Sequence, residues 1–541
     1  MTQLSRRASL AAGRFLGLAL TLGVSLGGVF APIAHADEYT DRLNKLVSDP
    51  DHPISDKARS DIVLLPLLAA MDKAPAVLRS QDRAALLGSQ GPGWSECADW
   101  AQKPAQKAVI EALDKVSKEE DRLKAFVFAQ PYGVDALRAD KDGITLIAKE
   151  MYTELGEPPL IAGARQLFLP SMENAGILVH VECSRLMAAG DGAGAMKVIV
   201  DWLFFSRQMA DRPLLREKKW AMESMLLALE RVRDIIYSDL TADKHTIDPT
   251  ALRKVNDRLK ERKGFLQLDK LRLPEGDFVG REQLIKSIMK DGKPDETSFA
   301  PTMARTSATE RPLKLFSAAA FWDQARAGHA GERETLMMLK GIHDDWARRW
   351  ELPSFDRYVN TATDYRKFVQ TTTKFAALNE AFNDVDTLFS LRQRLRVELG
   401  GTRMTIGPYG YLLRFKVMPT NLAATRPEFI DVVDRDPYNS GKAVGKVTDL
   451  QYYVPMRDTP ADALGNPKPF TINLYPQAPN PEFKRDLNDK VFVIYSVGPD
   501  EGSDRAAFAT QTRTGVKGDY LLFPPTLSLF RQRLAEKGEL K

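Results

Sequence analysis

At 541 residues the chain has room for two or three domains, each large enough to bury its own core. With 44% hydrophobic and 27% charged residues, and neither Gly nor Pro in excess, it reads as globular rather than disordered or fibrous. The formal charge of +4 falls to +1 once Arg6, Arg7 and Arg14 of a predicted export signal are set aside, because residues 1–36 contain no acid. That balance gives no support for nucleic-acid binding, which needs a clustered positive field.

The amino terminus predicts a signal peptide over residues 1–36. Three arginines precede the apolar run "FLGLALTLGVSLGGVFA", and "AHA" ahead of Asp37 supplies small residues at −3 and −1. An uncleaved membrane anchor is the alternative, since the run approaches spanning length; the glycines and the small-residue site favour cleavage. The twin arginine in "SRRASLA" has Ser9 where the folded-protein export route usually has a hydrophobic residue, so the route stays open. The expected location is extracytoplasmic: periplasm, envelope or secreted. Only Cys97 and Cys183 are present. In an oxidising compartment they can pair as a disulfide, and a buried free thiol is the competing reading for Cys183, which falls in the apolar run "GILVHVECSRLMAA".

From about Ser55 to Leu399 the pattern is mainly helical, and residues 37–292 are predicted as one helical domain. "DIVLLPLLAAMDKA", "QKAVIEALDKVSKEEDRLKAFVFA" and "REKKWAMESMLLALERVRDIIYSDL" carry apolar residues at three- and four-residue spacing. "VECSRLMAAGDGAGAMKVIVDWLFFSRQMAD" reads as helix, Gly-Asp turn, helix, weakly tetratricopeptide-like with Gly190, Asp191 and Ala195 at the turn. No second copy recurs at a fixed period, so irregular helical hairpins are expected rather than a solenoid. Residues 293–313 are polar and aperiodic and predict a linker or loop. A long-helix region, 314–400, follows, and Gly400 and Gly401 are expected to close it as a C-terminal cap.

Residues 401–541 change style. "LQYYVP", "FTINLYP", "KVFVIYSVG" and "DYLLFPP" are short, aromatic and β-branched, and bounded by Gly, Pro or Asp. Phe470, Ile472 and Leu474 alternate with Thr471, Asn473 and Tyr475, as an antiparallel strand with one wet face requires. "KVFVIYSV" is apolar on both faces and belongs in mid-sheet; were "GDYLLF" to pair beside it as an antiparallel neighbour, Asp519 would come near Asp500 and Asp504. The fold class is therefore a mainly α body followed by a small α+β domain with an antiparallel sheet.

The run "LLRFKVMPTNLAATRPEFIDVVDRDPYNSGK", with Pro419, Leu422, Pro427, Phe429, Val433, Asp436 and Pro437, is followed by "LQYYVP", "VIYSVGPDEGSD" and "GDYLLFPP". Together these resemble the globular part of the major pseudopilin of type II secretion, over roughly residues 409–525. The whole layout resembles uncharacterised exported bacterial proteins that join a helical body to this module. The resemblance implies a calcium loop, with Asp500, Asp504 and Asp519 as ligands and Glu501 a lesser one; otherwise no cofactor is expected. Calcium takes six to eight oxygens, which carboxylates and loop carbonyls can supply together. The competing reading is turn chemistry, with Asp500 following Gly-Pro and Asp519 opening a strand; Arg505, Arg513 and Lys517 would compete with a cation. Two departures set the chain apart from a filament subunit: a long helical body precedes the module, and an insertion separates "LQYYVP" from "KVFVIYSVG".

Other chemistry is sparse. "HDDWARRW" (343–350) offers His343 with Asp344 and Asp345, but sequence neighbours on a helix diverge, so a wet face with Trp346 and Trp350 inward is expected. Glu150, Glu154 and Glu157 could include a glycosidase acid, with Glu150 and Glu154 expected on one helix face. Phosphate-binding glycine loops and zinc-type cysteine clusters are absent. The leading expectation is an exported, non-catalytic scaffold of the bacterial envelope with an unidentified protein partner and no nucleic acid, meeting the membrane only if the signal stays uncleaved. The rival is an extracytoplasmic hydrolase with an acidic cleft between helices.

Overall fold

The computed structural model describes residues 34–47, 54–88, 93–119, 124–260, 266–306, 312–361, 363–379, 382–439, 448–461, 469–475, 482–509 and 518–540, with single positions at 91, 121, 464 and 465. The predicted signal lies almost wholly outside them, and its cleavage point between Ala36 and Asp37 falls inside the first described helix, α1 (Ala34–Val47). Among the described residues no helix is long and apolar enough to cross a membrane.

The molecule is mainly helical. The body opens with α2 (Ser60–Ala70), α3 (Gln81–Leu86), α4 (Trp94–Ala101), α5 (Pro104–Ser117), α6 (Val134–Arg138) and α7 (Gly143–Ala148). Its centre is α8 (Leu169–Ala188), α9 (Gly192–Met209), α10 (Leu215–Leu240), α11 (Pro249–Arg258) and α12 (Glu275–Ser287). Then come α13 (Phe299–Arg305), α14 (Pro312–Arg326), α15 (Glu332–Glu351), α16 (Asp364–Thr371), α17 (Ala376–Asn379) and α18 (Phe382–Phe415). Two small hairpins, β1–β2 (Thr153–Glu154 with Arg165–Gln166) and β3–β4 (Met289–Lys290 with Lys293–Pro294), decorate the body.

The predicted α8–α9 hairpin forms as its sequence requires. Gly190 turns the chain at φ +77°, a region that costs other residues more, and the Asp191 carboxylate caps α9 by accepting from Gly194 N at 2.8 Å. From Ile199 to Met209 every residue of α9 is buried, because α5, α8 and α10 surround it. Of its polar side chains, Asp201 pairs with Lys197 and Arg258, and Arg207 and Gln208 donate to the carbonyls of Leu266 and Val116. α10 lies between α9 and α18.

Three sequence expectations change. The helix expected to run through "KEEDRLKAFVFA" stops at Ser117, where Arg258 of α11 donates to the Ser117 carbonyl at 2.7 Å and supplies the cap from afar. The chain beyond turns extended, and Val127 bridges to Arg59. The segment 293–313 is not structureless: it contains β4 and α13, with 307–311 outside the described residues. Gly400 and Gly401 do not cap a helix either. α18 runs through them for 34 residues, so the predicted boundary at 401 falls mid-helix. The reason is close approach: a Cβ on Gly401 would meet the Leu522 side chain at 2.5 Å, so the glycine lets a strand lie against the helix.

The carboxy-terminal part adds β5 (Gln451–Tyr453), α19 (Pro455–Asp458), β6 (Phe470–Leu474), β7 (Phe483–Leu487), β8 (Val493–Ser496), β9 (Phe508–Ala509), β10 (Tyr520–Phe523) and α20 (Thr526–Glu536). β10, β8 and β5 form an antiparallel sheet with β8 central and buried at every residue, as its two-faced apolar pattern predicts. The insertion after β5 is the antiparallel β6–β7 hairpin. With β9 parallel to β6 it makes a second sheet. Ile472 and Leu474 are buried while Thr471 is exposed, matching the alternation.

Body and module share one core, in which Leu395 and Met404 of α18 join Ile494 and Leu521 of the sheet. Buried charge stitches the joint. Arg233 of α10 is paired with Glu398 of α18, and Tyr520 of β10 donates to the same carboxylate at 2.6 Å. α20 then returns to the body: Leu527 N donates to Glu230 at 3.0 Å, and Arg531 reaches both oxygens of buried Asp234 at 2.8 Å. Burial alone would raise Asp234, but Arg531 and Arg231 hold its carboxyl down to about 2.

Candidate functional site: the acidic loop between the two sheets

The loop 498–507 leaves β8 of one sheet and enters β9 of the other, so its side chains sit where the sheets meet. It bends sharply, with Gly498, Glu501, Arg505 and Ala506 all at positive φ (72°, 55°, 61° and 60°). Three such non-glycine residues in one loop cost conformational energy and persist only where surrounding contacts over-determine them. Those contacts are present. Tyr453 donates its hydroxyl to the Arg505 carbonyl at 3.0 Å, Tyr495 and Ser503 share a hydroxyl bond at 3.1 Å, and Asp519 N donates to the Phe508 carbonyl at 2.8 Å.

The pairing of β10 with β8 brings Asp519, remote in sequence, to this loop. Its carboxyl is fully buried, and Oδ2 accepts from Asp504 N at 3.2 Å and from Ala506 N at 2.5 Å. Oδ1 is buried with no hydrogen-bond partner among the described residues, and the Asp504 carboxyl, which itself accepts from Phe508 N at 3.3 Å, lies beside the Asp519 carboxyl. Burial first, and then that neighbour, push Asp519 up to about 9. Two neighbouring carboxyls disfavour each other's ionised form, and a cation between them would relieve that.

Asp500 does something different. It is exposed; its Oδ1 accepts from Gly502 N at 3.3 Å and its Oδ2 from Gly518 N at 3.0 Å, which is turn chemistry that ties the two ends of the corner together. Asp500, Asp504 and Asp519 thus lie at one corner, and of the three it is Asp504 and Asp519 whose carboxyls interact. Glu501 contributes its backbone strain. Among the described residues no three Asp, Glu, His or Cys side chains stand together as a ligand set.

The donor set fits a hard cation in one respect. Hard oxygens are present, one of them orphaned, and the remaining positions of a six- to eight-oxygen shell would fall to carbonyls and water. Arg505 does not compete: its guanidinium donates to the Asp458 carbonyl at 2.8 Å and lies over the Tyr453 ring. Arg513 and Lys517 lie outside the described residues.

The other sequence candidates resolve into packing. Cys97 and Cys183 are both buried free thiols rather than a disulfide. Burial pushes them up to about 11 and about 12, so neither is a nucleophile. Cys183 donates to the Ala195 carbonyl at 3.4 Å. Trp346 and Trp350 point inward as expected, at 5% and 7% exposure. His343 is not on a wet face: it donates to Glu275 at 2.8 Å and stacks near Phe278 at 4.2 Å. Asp344 pairs with Lys340, and Asp345 with Arg348 and Arg349. Glu150 and Glu154 do not share a helix, since Glu150 follows α7 at φ +56° and Glu154 lies in β1 beside Arg165 at 3.1 Å.

Sequence reasoning missed the buried charges of the helical core. Tyr132 and Arg212 converge on Glu217, and Lys218 is fully enclosed and donates to the Ala210 carbonyl. The only signal was the alternation of charge with apolar residues in "LLREKKWAMESM", which also describes an exposed helix. No family model matches the chain, and neither a curated protein nor a solved structure matches it.

Proposed function

We propose that the chain is an exported, non-catalytic scaffold of the bacterial envelope in which a pseudopilin-like module is a fixed part of a helical body and presents its surface to a protein partner. The observation that carries this reading is the double attachment of the module. α18 enters it without a break, and α20 leaves it to dock on α10. A filament subunit needs its globular part free to stack on copies of itself; a module held at both ends serves instead as a rigid platform. Phe415, Val417 and Val432 at the α18 end of the module are 47%, 56% and 52% exposed, apolar surface of the kind that protein partners cover.

The acidic loop belongs to the same reading as a structural calcium site, with Asp504 and Asp519 as its carboxylate ligands and Asp500 as the turn that sets the loop. Bound calcium would supply the positive charge that lets both carboxyls ionise, and would fasten the two sheets at their junction. Stabilisation would then follow ln(1 + [Ca²⁺]/Kd).

The test has three measurements on the full chain. Fractionation with amino-terminal sequencing should find material beginning at Asp37 outside the cytoplasm. Melting in millimolar calcium against chelator should show an upward shift that Asp519→Asn removes. Generic ester, glycoside and peptide substrates should not be turned over. Turnover, or retention in the cytoplasm, would reject the scaffold reading, and an unshifted melt would reduce the loop to a turn.

A further inference from the structure

A cleft of about 300 Å³ opens where the module meets the body, between the loop after α15, the middle of α18 and the segment 434–437 that leads into β5. Its walls are mixed. Phe355, Pro437 and Leu450 supply apolar surface, and Arg396, Arg403 and Arg435 supply three guanidinium groups against one lining carboxylate, Asp434.

The three arginines differ in what they already hold. Arg403 donates to both oxygens of Asp434 at 3.0 and 3.1 Å and to Asp431 at 2.7 Å, so the one acid in the wall is already neutralised. Arg396 meets Asp269 at 2.7 Å, a carboxylate 60% exposed and outside the cleft lining, so water screens that pair. Arg435 is exposed and has no side-chain partner among the described residues.

The backbone that carries Arg435 is nonetheless fixed. Arg435 bridges to Asp449, Asp436 N donates to the Thr448 carbonyl at 3.0 Å, and Leu450 N to the Asp434 carbonyl at 3.1 Å. Asp436 is buried and accepts from Ser496 Oγ at 2.6 Å and Val497 N at 2.8 Å. Asp434, Arg435 and Pro437 line the cleft around this anchored Asp436, and the chain turns just beyond, where Asn439 N donates to the Asp436 carbonyl at 3.2 Å. Gly400 of α18 forms part of the floor, and a Cβ there would have only ordinary contacts, at 3.6 Å. An arginine without a side-chain partner among the described residues, on a fixed backbone beside an apolar hollow, suits an anion with an apolar neighbour.

The geometry points to a carboxylate-anchoring cleft that takes an organic acid bearing an apolar group, the chemistry of a peptide's carboxy-terminal residue. This rests on the scaffold reading and names the chemistry of its partner. Arg435 pairs with the carboxylate, and Phe355, Pro437 and Leu450 cover the apolar side chain.

Calorimetric titration of the full chain with N-acetyl-phenylalanine, its amide, and an N-acetylated tetrapeptide ending in Phe tests it. The acid and the tetrapeptide should bind saturably and the amide at least about tenfold more weakly, the loss of one charge-assisted pair. Tighter binding of the tetrapeptide than of the single residue marks a peptide as the source; equal binding marks a free acid. Arg435→Ala should weaken the acid about tenfold, Arg435→Lys should restore part of it, and Gly400→Leu should block the cleft while keeping the helix. Both positions are solvent-facing or roomy, and circular dichroism confirms that each variant is folded. Equal binding of acid and amide, or binding that neither variant weakens, overturns the proposal, as does absence of saturation with the folded wild type. Hydrolysis of the tetrapeptide, by contrast, would overturn the scaffold reading while leaving the anchoring cleft in place.

Discussion

Glu398 is the residue on which the joint between body and module turns. Replacing it with Ala leaves the Arg233 guanidinium, 0% exposed, with only Thr402 Oγ1 at 2.8 Å and the carbonyl of residue 398 at 3.1 Å as neutral partners. It also strips Tyr520 of its acceptor. Breaking one side of a buried ion pair costs roughly 3–5 kcal/mol, because the surviving charge stays desolvated, so Glu398→Ala should lose about 4 kcal/mol. Replacing the whole set, Arg233→Met with Glu398→Leu and Tyr520→Phe, removes the stranded groups and should return stability to within about 1–2 kcal/mol of the parent. The probe is already in the molecule. All seven tryptophans, from Trp94 to Trp350, lie in the body, so urea unfolding followed by their fluorescence reports on the body alone, while far-ultraviolet circular dichroism reports on both parts. If the joint makes one cooperative unit, the two probes move together in every variant. A fluorescence transition that stays put when Glu398 is removed, or a triple variant no better than the single one, would refute the reasoning.

Two further outcomes follow from single side chains. Burial lowers Lys218 from its ordinary 10.5 to about 8. The unfolded chain therefore holds a proton between those values that the folded chain has released, and this group's contribution makes stability rise with pH across that window by about 3 kcal/mol. Lys218→Met should lack that rise, so its stability difference from the parent should change by about 3 kcal/mol between pH 7 and pH 10.5 in urea titrations; a difference independent of pH would contradict it. The adjacent glycines of α18 should part company. Gly400→Ala gains helix propensity and should be neutral or stabilising by up to about 1 kcal/mol, whereas Gly401→Ala drives a methyl into Leu522 at 2.5 Å and should cost about 1–3 kcal/mol by thermal melts.

What the sequence made legible was pattern carried by neighbours. The alternation in "FTINLYP" and the doubly apolar "KVFVIYSV" specified which faces of β6 and β8 are buried, because the period of a strand is a local property. The turn at Gly190–Asp191 was legible for the same reason. The failures share a cause as well. α5 ends where Arg258 supplies a cap from 141 residues away, and α18 continues through Gly-Gly because Leu522 needs the room. In both cases a partner distant in sequence outweighs local propensity. The acidic loop was half legible. Motif position named Asp500, Asp504 and Asp519 together, but not that Asp500 would accept from Gly518 N while the Asp504 and Asp519 carboxyls interact.

The same dependence on distant partners explains why this chain puts so much charge inside. Arg233, Asp234 and Glu398 are all at or near zero exposure, although apolar residues of similar volume would serve stability as well or better. What an ion pair adds is register: Arg233 accepts one position of α18 and no neighbouring one, and Asp234 accepts one position of α20. A joint made only of leucines would let α18 slide by a turn with little loss, and the segment 434–437 would move with it. Held by charges at both ends, the module can present Arg435 at one place relative to Phe355 of the body, and that fixed separation is what a two-sided cleft requires.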